Sequence, residues 1–94
     1  MKVSFKVKAQ PSLMVEAREI DFTKEVANAI WQTAKGCAEA DFALKLFNSN
    51  GEIEVTDEQR GFIRNAVAGF AWWAKKPILE AIGEISKLIE EPGA

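Results

Sequence analysis

The residues best suited to binding chemistry lie between Arg60 and Lys76. Phe70-Ala71-Trp72-Trp73 sets two indoles side by side, and no acidic residue falls between Gln59 and Lys76. Adjacent residues on a helix point about 100° apart, so neighbouring indoles cannot share a face. With Gly61 at zero on one continuous helix, Phe62, Ile63, Ala66, Val67, Phe70, Trp73 and Ala74 fall between about 100° and 240°, which makes them a core stripe. Trp72 falls at about 20°, beside Gly61, Asn65 and Ala68, and Arg64, Lys75 and Lys76 flank it at the helical period. An indole among small residues and cations suits two tasks. It anchors a protein partner or a second copy of the chain, or it stacks on an unpaired base while the cations meet phosphates. The competing explanation is structural: Asp57 and Glu58 at the helix start, with Lys75 and Lys76 at its end, complement the helix dipole. Trp72 would then be covered by the chain's own N-terminal hairpin or final helix.

Catalytic chemistry has little to work with. There is no histidine and no tyrosine, and Cys37 is the only cysteine, which excludes an intrachain disulfide, a Cys/His zinc cage and a His-based triad. Cys37, with no histidine to activate it, reads as a small packed side chain. Glu16, Glu19, Asp21 and Glu25 are close in sequence and contain the makings of an acid and base pair, but nothing in the spacing fixes their geometry. The segment from Leu46 to Asp57 has the glycine and oxygen-bearing side chains of a calcium loop. Setting Gly51 at the sixth position, however, puts Leu46 at the first and Asp57 at the twelfth, so both anchoring ligands fail. No enzyme, metal or cofactor is expected.

The 94 residues are 48% hydrophobic and 28% charged, the balance of one folded domain, and the net charge of −2 argues against a dedicated nucleic-acid scaffold. Lys2, Lys6 and Lys8 give the first eleven residues a charge of +3, leaving −5 for the remainder. Lysines along an exposed strand deter edge-to-edge aggregation, and they also suit phosphate or an acidic partner. These lysines interrupt every apolar position of the N-terminus, so it lacks the continuous apolar stretch of an export signal. The longest apolar run, Ala66 to Ala74, is far short of the roughly 20 residues that span a bilayer. A soluble, cytoplasmic chain without membrane contact is the expectation.

The elements that must position these residues follow from periodicity. Val3, Phe5 and Val7 alternate with polar residues as a half-buried strand; Leu13, Val15 and Ala17 resume the alternation as the second arm of a hairpin, or share a helical face with Ile20. Phe22, Val26, Ala27, Ile30, Trp31 and Ala34 mark an amphipathic helix capped by Asp21 or Thr23 and ended by a left-handed Gly36. A short helix follows with Ala40, Ala43, Leu44 and Phe47 on one side. Asn48-Ser49-Asn50-Gly51 is the strongest turn signal, and Ile53 and Val55 make a brief strand that joins the hairpin. Thr56 and Gln59 form a capping box that starts a helix running to about Lys76, where Pro77 ends it or opens a new one. Ile78, Ile82, Ile85 and Ile89 stripe the last helix, opposite Glu80, Glu84, Lys87 and Glu91.

The Ile20-Asp21-Phe22-Thr23-Lys24-Glu25 helix start, taken with Leu46 to Gln59, resembles small uncharacterised proteins encoded in bacteriophage and prophage regions. The resemblance covers about residues 20 to 64 and carries no activity. It implies a cytoplasmic accessory protein of a bacterium or its phage and favours assembly or partner binding. The expected architecture is a single α+β domain, an N-terminal β-hairpin with a short third strand packed against three to four helices. Val26, Ile30, Phe62, Val67, Phe70, Ile82 and Ile85 are its expected core. The expected function is a non-catalytic protein-interaction or self-assembly module, a homodimer being one form. Its contact surface would be Trp72 with Ala68, Asn65, Gly61, Arg64, Lys75 and Lys76. The alternative is a single-stranded nucleic-acid binder on the same surface.

Overall fold

The computed structural model describes residues 1–84. Among the described residues, four helices and two short antiparallel ladders make an α+β fold in the order β1 (Lys2–Ser4), β2 (Lys6–Ala9), β3 (Arg18–Asp21), α1 (Thr23–Thr33), α2 (Cys37–Phe47), β4 (Glu52–Glu54), α3 (Asp57–Val67) and α4 (Trp72–Ala81). The alternating N-terminal segment is nearly one strand divided between two partners. Its first half, β1, pairs with β4, setting Val3 opposite Ile53. Its second half, β2, pairs with β3. Phe5 is the crossing point: its N–H donates to the Gly51 carbonyl at 3.1 Å and its own carbonyl accepts from Phe22 at 2.9 Å. The phenyl ring is fully buried.

The expected third strand forms, with Ile53 and Val55 buried, but it spans Glu52–Glu54 and pairs with β1 in a ladder of its own instead of extending the β2–β3 hairpin. The hairpin's second arm is placed differently. It is Arg18–Asp21, not Leu13–Ala17, and residues 10–17 form the connection. The observed register sets Asp21 opposite Lys6 and Glu19 opposite Lys8, two cross-strand pairs of opposite charge, and Ile20 opposite Val7.

Helix α1 buries Val26, Ala27 and Ile30 as its period requires, but Trp31 is exposed. Its N-cap is neither Asp21 nor Thr23 but Phe22, which makes no side-chain cap bond; Asp21, one residue earlier, accepts from the Thr23 N–H at 2.9 Å and from the Thr23 hydroxyl. Gly36 does not end α1 in a left-handed turn; at φ −157° it is extended and precedes α2. Helix α2 buries Phe42, Ala43 and Leu46, leaving Leu44 and Phe47 outside, so its inner face is rotated from the expected one. Apolar residues nearly surround this helix, and periodicity does not single out one stripe. Gly51 closes the Asn50-Gly51 turn at φ +100°, with Thr23 Oγ1 only 3.1 Å from where a Cβ would sit.

The capping box at Thr56 is complete: Gln59 N–H reaches Thr56 Oγ1 at 3.2 Å, and Thr56 N–H reaches Gln59 Oε1 at 3.0 Å. The helix it starts does not run to Lys76. It stops at Val67; Ala68 to Phe70 turn, with Phe70 N–H bonded to the Val67 carbonyl, and Ala71 is extended at ψ 150°. Gly69 in this stretch weakens helix continuation. The break lets α4 fold back over β2 and present Ala74, Pro77, Ile78 and Ile82 to the core. Pro77 neither ends nor opens a helix, since it lies within α4. Arg60 holds the far end of α4 by donating to the Ile82 carbonyl at 3.1 Å.

The core comprises Val3, Phe5, Val26, Ile30, Leu46, Ile63, Val67, Ile78 and Ile82, with Phe62 and Phe70 half-buried against it. Ile85, Lys87, Ile89 and Glu91 of the expected final stripe lie outside the described residues. Among the described residues, no helix is long and apolar enough to cross a membrane.

Candidate functional site

The break at residues 68–71 changes the geometry around the indoles. Trp72 opens α4 instead of continuing α3, so its angular relation to Gly61, Asn65 and Arg64 on a single helix does not hold. Arg64 pairs with Glu84 at 3.2 Å. Gly61 lies beside that guanidinium, and Asn65 is exposed on α3. The structure does unite Trp72, Lys75 and Ala68: Lys75 Nζ stands 5.9 Å from the Trp72 ring centroid and donates to the Ala68 carbonyl at 3.5 Å. Lys76 borders the same cleft as Trp72.

Trp72 remains 59% exposed, and Trp73, expected in the core, is 38% exposed while its ring rests 6.0 Å from that of Phe22. Neither indole is enclosed by its own subunit. Both line a cleft of about 350 Å³ between α4 and the β2–β3 connection, whose other walls include Lys8, Leu13, Ala17 and Pro77. Beside it stands the most exposed apolar pair of the described chain, Leu13 at 95% and Met14 at 91%.

That pair is held outward by hydrogen bonds. Ser12 Oγ accepts the Met14 N–H at 3.0 Å, the Ser12 carbonyl accepts the Val15 N–H at 3.3 Å, and the Gln10 side-chain amide donates to the Val15 carbonyl at 2.8 Å. The turn displays its side chains without any packing beneath them. Strand alternation missed this feature, although it left Met14 on the polar side, a bulky apolar residue out of phase.

Among the described residues, three other concavities border α1, one of them, of about 460 Å³, lined by Phe22, Phe70 and Trp73 among others. Trp31, Leu44 and Phe47 line an apolar groove of about 200 Å³ between α1 and α2, with Lys24 Nζ 3.9 Å from the Phe47 ring centroid. Asp21, Thr23, Lys24, Glu25, Ser49, Asn50 and Gly51 line a polar niche. Its Asp21 carboxyl is held below the ordinary carboxylate value by the Thr23 hydroxyl and then the Thr23 N–H, opposed by slight burial. An acid tuned this way stays ionised and does not donate protons near neutrality. Glu16 and Glu19 lie outside this niche, so the four neighbouring carboxylates do not converge there. Cys37 is exposed at the start of α2, not packed. No protein-family model matches the sequence, and neither a curated protein nor a solved structure matches the chain.

Proposed function

We propose that the protein is a non-catalytic protein-interaction module whose contact surface is the cleft between α4 and the β2–β3 connection. The observation that carries this reading is the gathering of Leu13, Trp72 and Trp73 along one cleft, all exposed, with Met14 next to Leu13 on a turn ordered by its own hydrogen bonds. Contiguous apolar surface of this kind marks interaction sites, and aromatic anchors supply much of the energy in such contacts. Ordering the turn in advance lowers the entropic cost of binding. Lys8, Lys76 and Glu80 on the cleft, with Lys75 beside Trp72, supply a polar rim. In the cytoplasmic, phage-accessory setting that the resemblance implies, such a module acts by docking.

A photo-crosslinking amino acid placed at position 13 in the producing cell tests this. The expected result is a discrete protein adduct from position 13 and none from position 45, which is exposed on α2. A nuclease-sensitive adduct at position 13 would replace this reading with single-stranded nucleic-acid binding. Equal labelling from both positions would refute a dedicated surface.

A further inference from the structure

Resting on that reading of the cleft, we propose that its occupant is a second copy of this chain, the Leu13–Met14 turn of each protomer entering the cleft of the other. A two-fold dimer joins identical patches, so one face must be complementary to itself. This face is: it carries a projecting element, the turn, directly beside a receiving one, the cleft lined by Trp72, Trp73 and Pro77. A two-fold axis between them seats both turns at once.

Charge and area agree with this occupant. The only charged residue between Gln10 and Ala17 is Glu16, exposed on the projecting segment. The charged residues lining the receiving cleft are Lys8, Lys76 and Glu80, and with Lys75 beside Trp72 the balance there is basic. Docking therefore brings an acidic turn to a basic rim in both halves of the dimer, and such rim charges steer and orient association. From their exposures, Leu13, Met14, Trp72 and Trp73 present on the order of 600 Å² per copy, most of the roughly 800 Å² that each partner contributes to a standard stable interface.

Light scattering across a concentration series tests the proposal on the purified chain. The expected mass rises from 10.4 kDa toward twice that value. Leu13→Asp should weaken self-association by at least about tenfold with an unchanged far-ultraviolet spectrum, because Leu13 is almost wholly exposed. Glu16→Lys should weaken it severalfold, and adding Lys75→Glu should restore it. A chain that stays at monomer mass throughout, Leu13→Asp that associates as the parent does, or a charge reversal that restores nothing would overturn the proposal. If the purified chain is monomeric while position 13 crosslinks in the cell to a protein of another mass, the second copy falls and the contact surface stands. If position 13 gives no discrete protein adduct either, both fall.

Discussion

The two faces of α4 contrast in what their apolar side chains accomplish. Ala74, Pro77 and Ile78 are buried against the sheet and the other helices, and their water-excluded area stabilises the fold. At the first turn of α4 Trp72 faces solvent, and Trp73, partly covered by Phe22, reaches the same cleft as Leu13, whose outward placement with Met14 comes from hydrogen bonds in the turn. The same residue chemistry serves folding on one side and is left available on the other. Apolar composition alone does not separate these roles; the backbone that aims each side chain does.

The contrast sharpens first where burial is complete. Ile63→Ala in the core should cost about 2–5 kcal/mol in urea unfolding, through lost transfer energy and the cavity left behind. Thr56→Ala should cost about 1 kcal/mol, because the first turn of α3 loses the bond to the Gln59 N–H. Asp21→Asn should have a smaller effect near neutrality but a distinctive pH signature. The depressed Asp21 carboxyl contributes stability that is fully present above its ordinary value of 3.8 and is lost as pH falls through its lowered value in the folded state. Acid titration of stability should therefore show a loss below that ordinary value in the parent that is reduced in Asp21→Asn.

Local signals were the most legible part of the sequence. The Thr56–Gln59 capping box, the Asn50-Gly51 turn and the lysine-alternated N-terminal strand appear where residue chemistry puts them, since each rests on bonds or sterics within a few residues. Long-range choices were less legible. Nothing local decides whether Leu13–Ala17 or Arg18–Asp21 pairs with the first strand; the Lys6–Asp21 and Lys8–Glu19 register emerges only on pairing. The α3–α4 break is of the same kind. Ala68 and Ala71 are compatible with helix, and the turn is rewarded by returning Ile78 and Ile82 to a core that the chain builds elsewhere. The candidate surface was consequently half visible. Trp72, Lys75, Lys76 and Ala68 were named from the spacing of one continuous helix, which the break removes, yet they remain neighbours across it; the Leu13–Met14 turn, read as strand or helix, was not named.

The central claim is that the apolar side chains of the Leu13–Met14 turn contribute almost nothing to holding the subunit together. Its most direct measurement is the unfolding free energy of Leu13→Asp, taken in urea at a protein concentration too low for association. The expected value lies within about 0.5 kcal/mol of the parent, as for a surface position. A loss of about 2 kcal/mol or more would show that Leu13 belongs to the interior and would contradict the account.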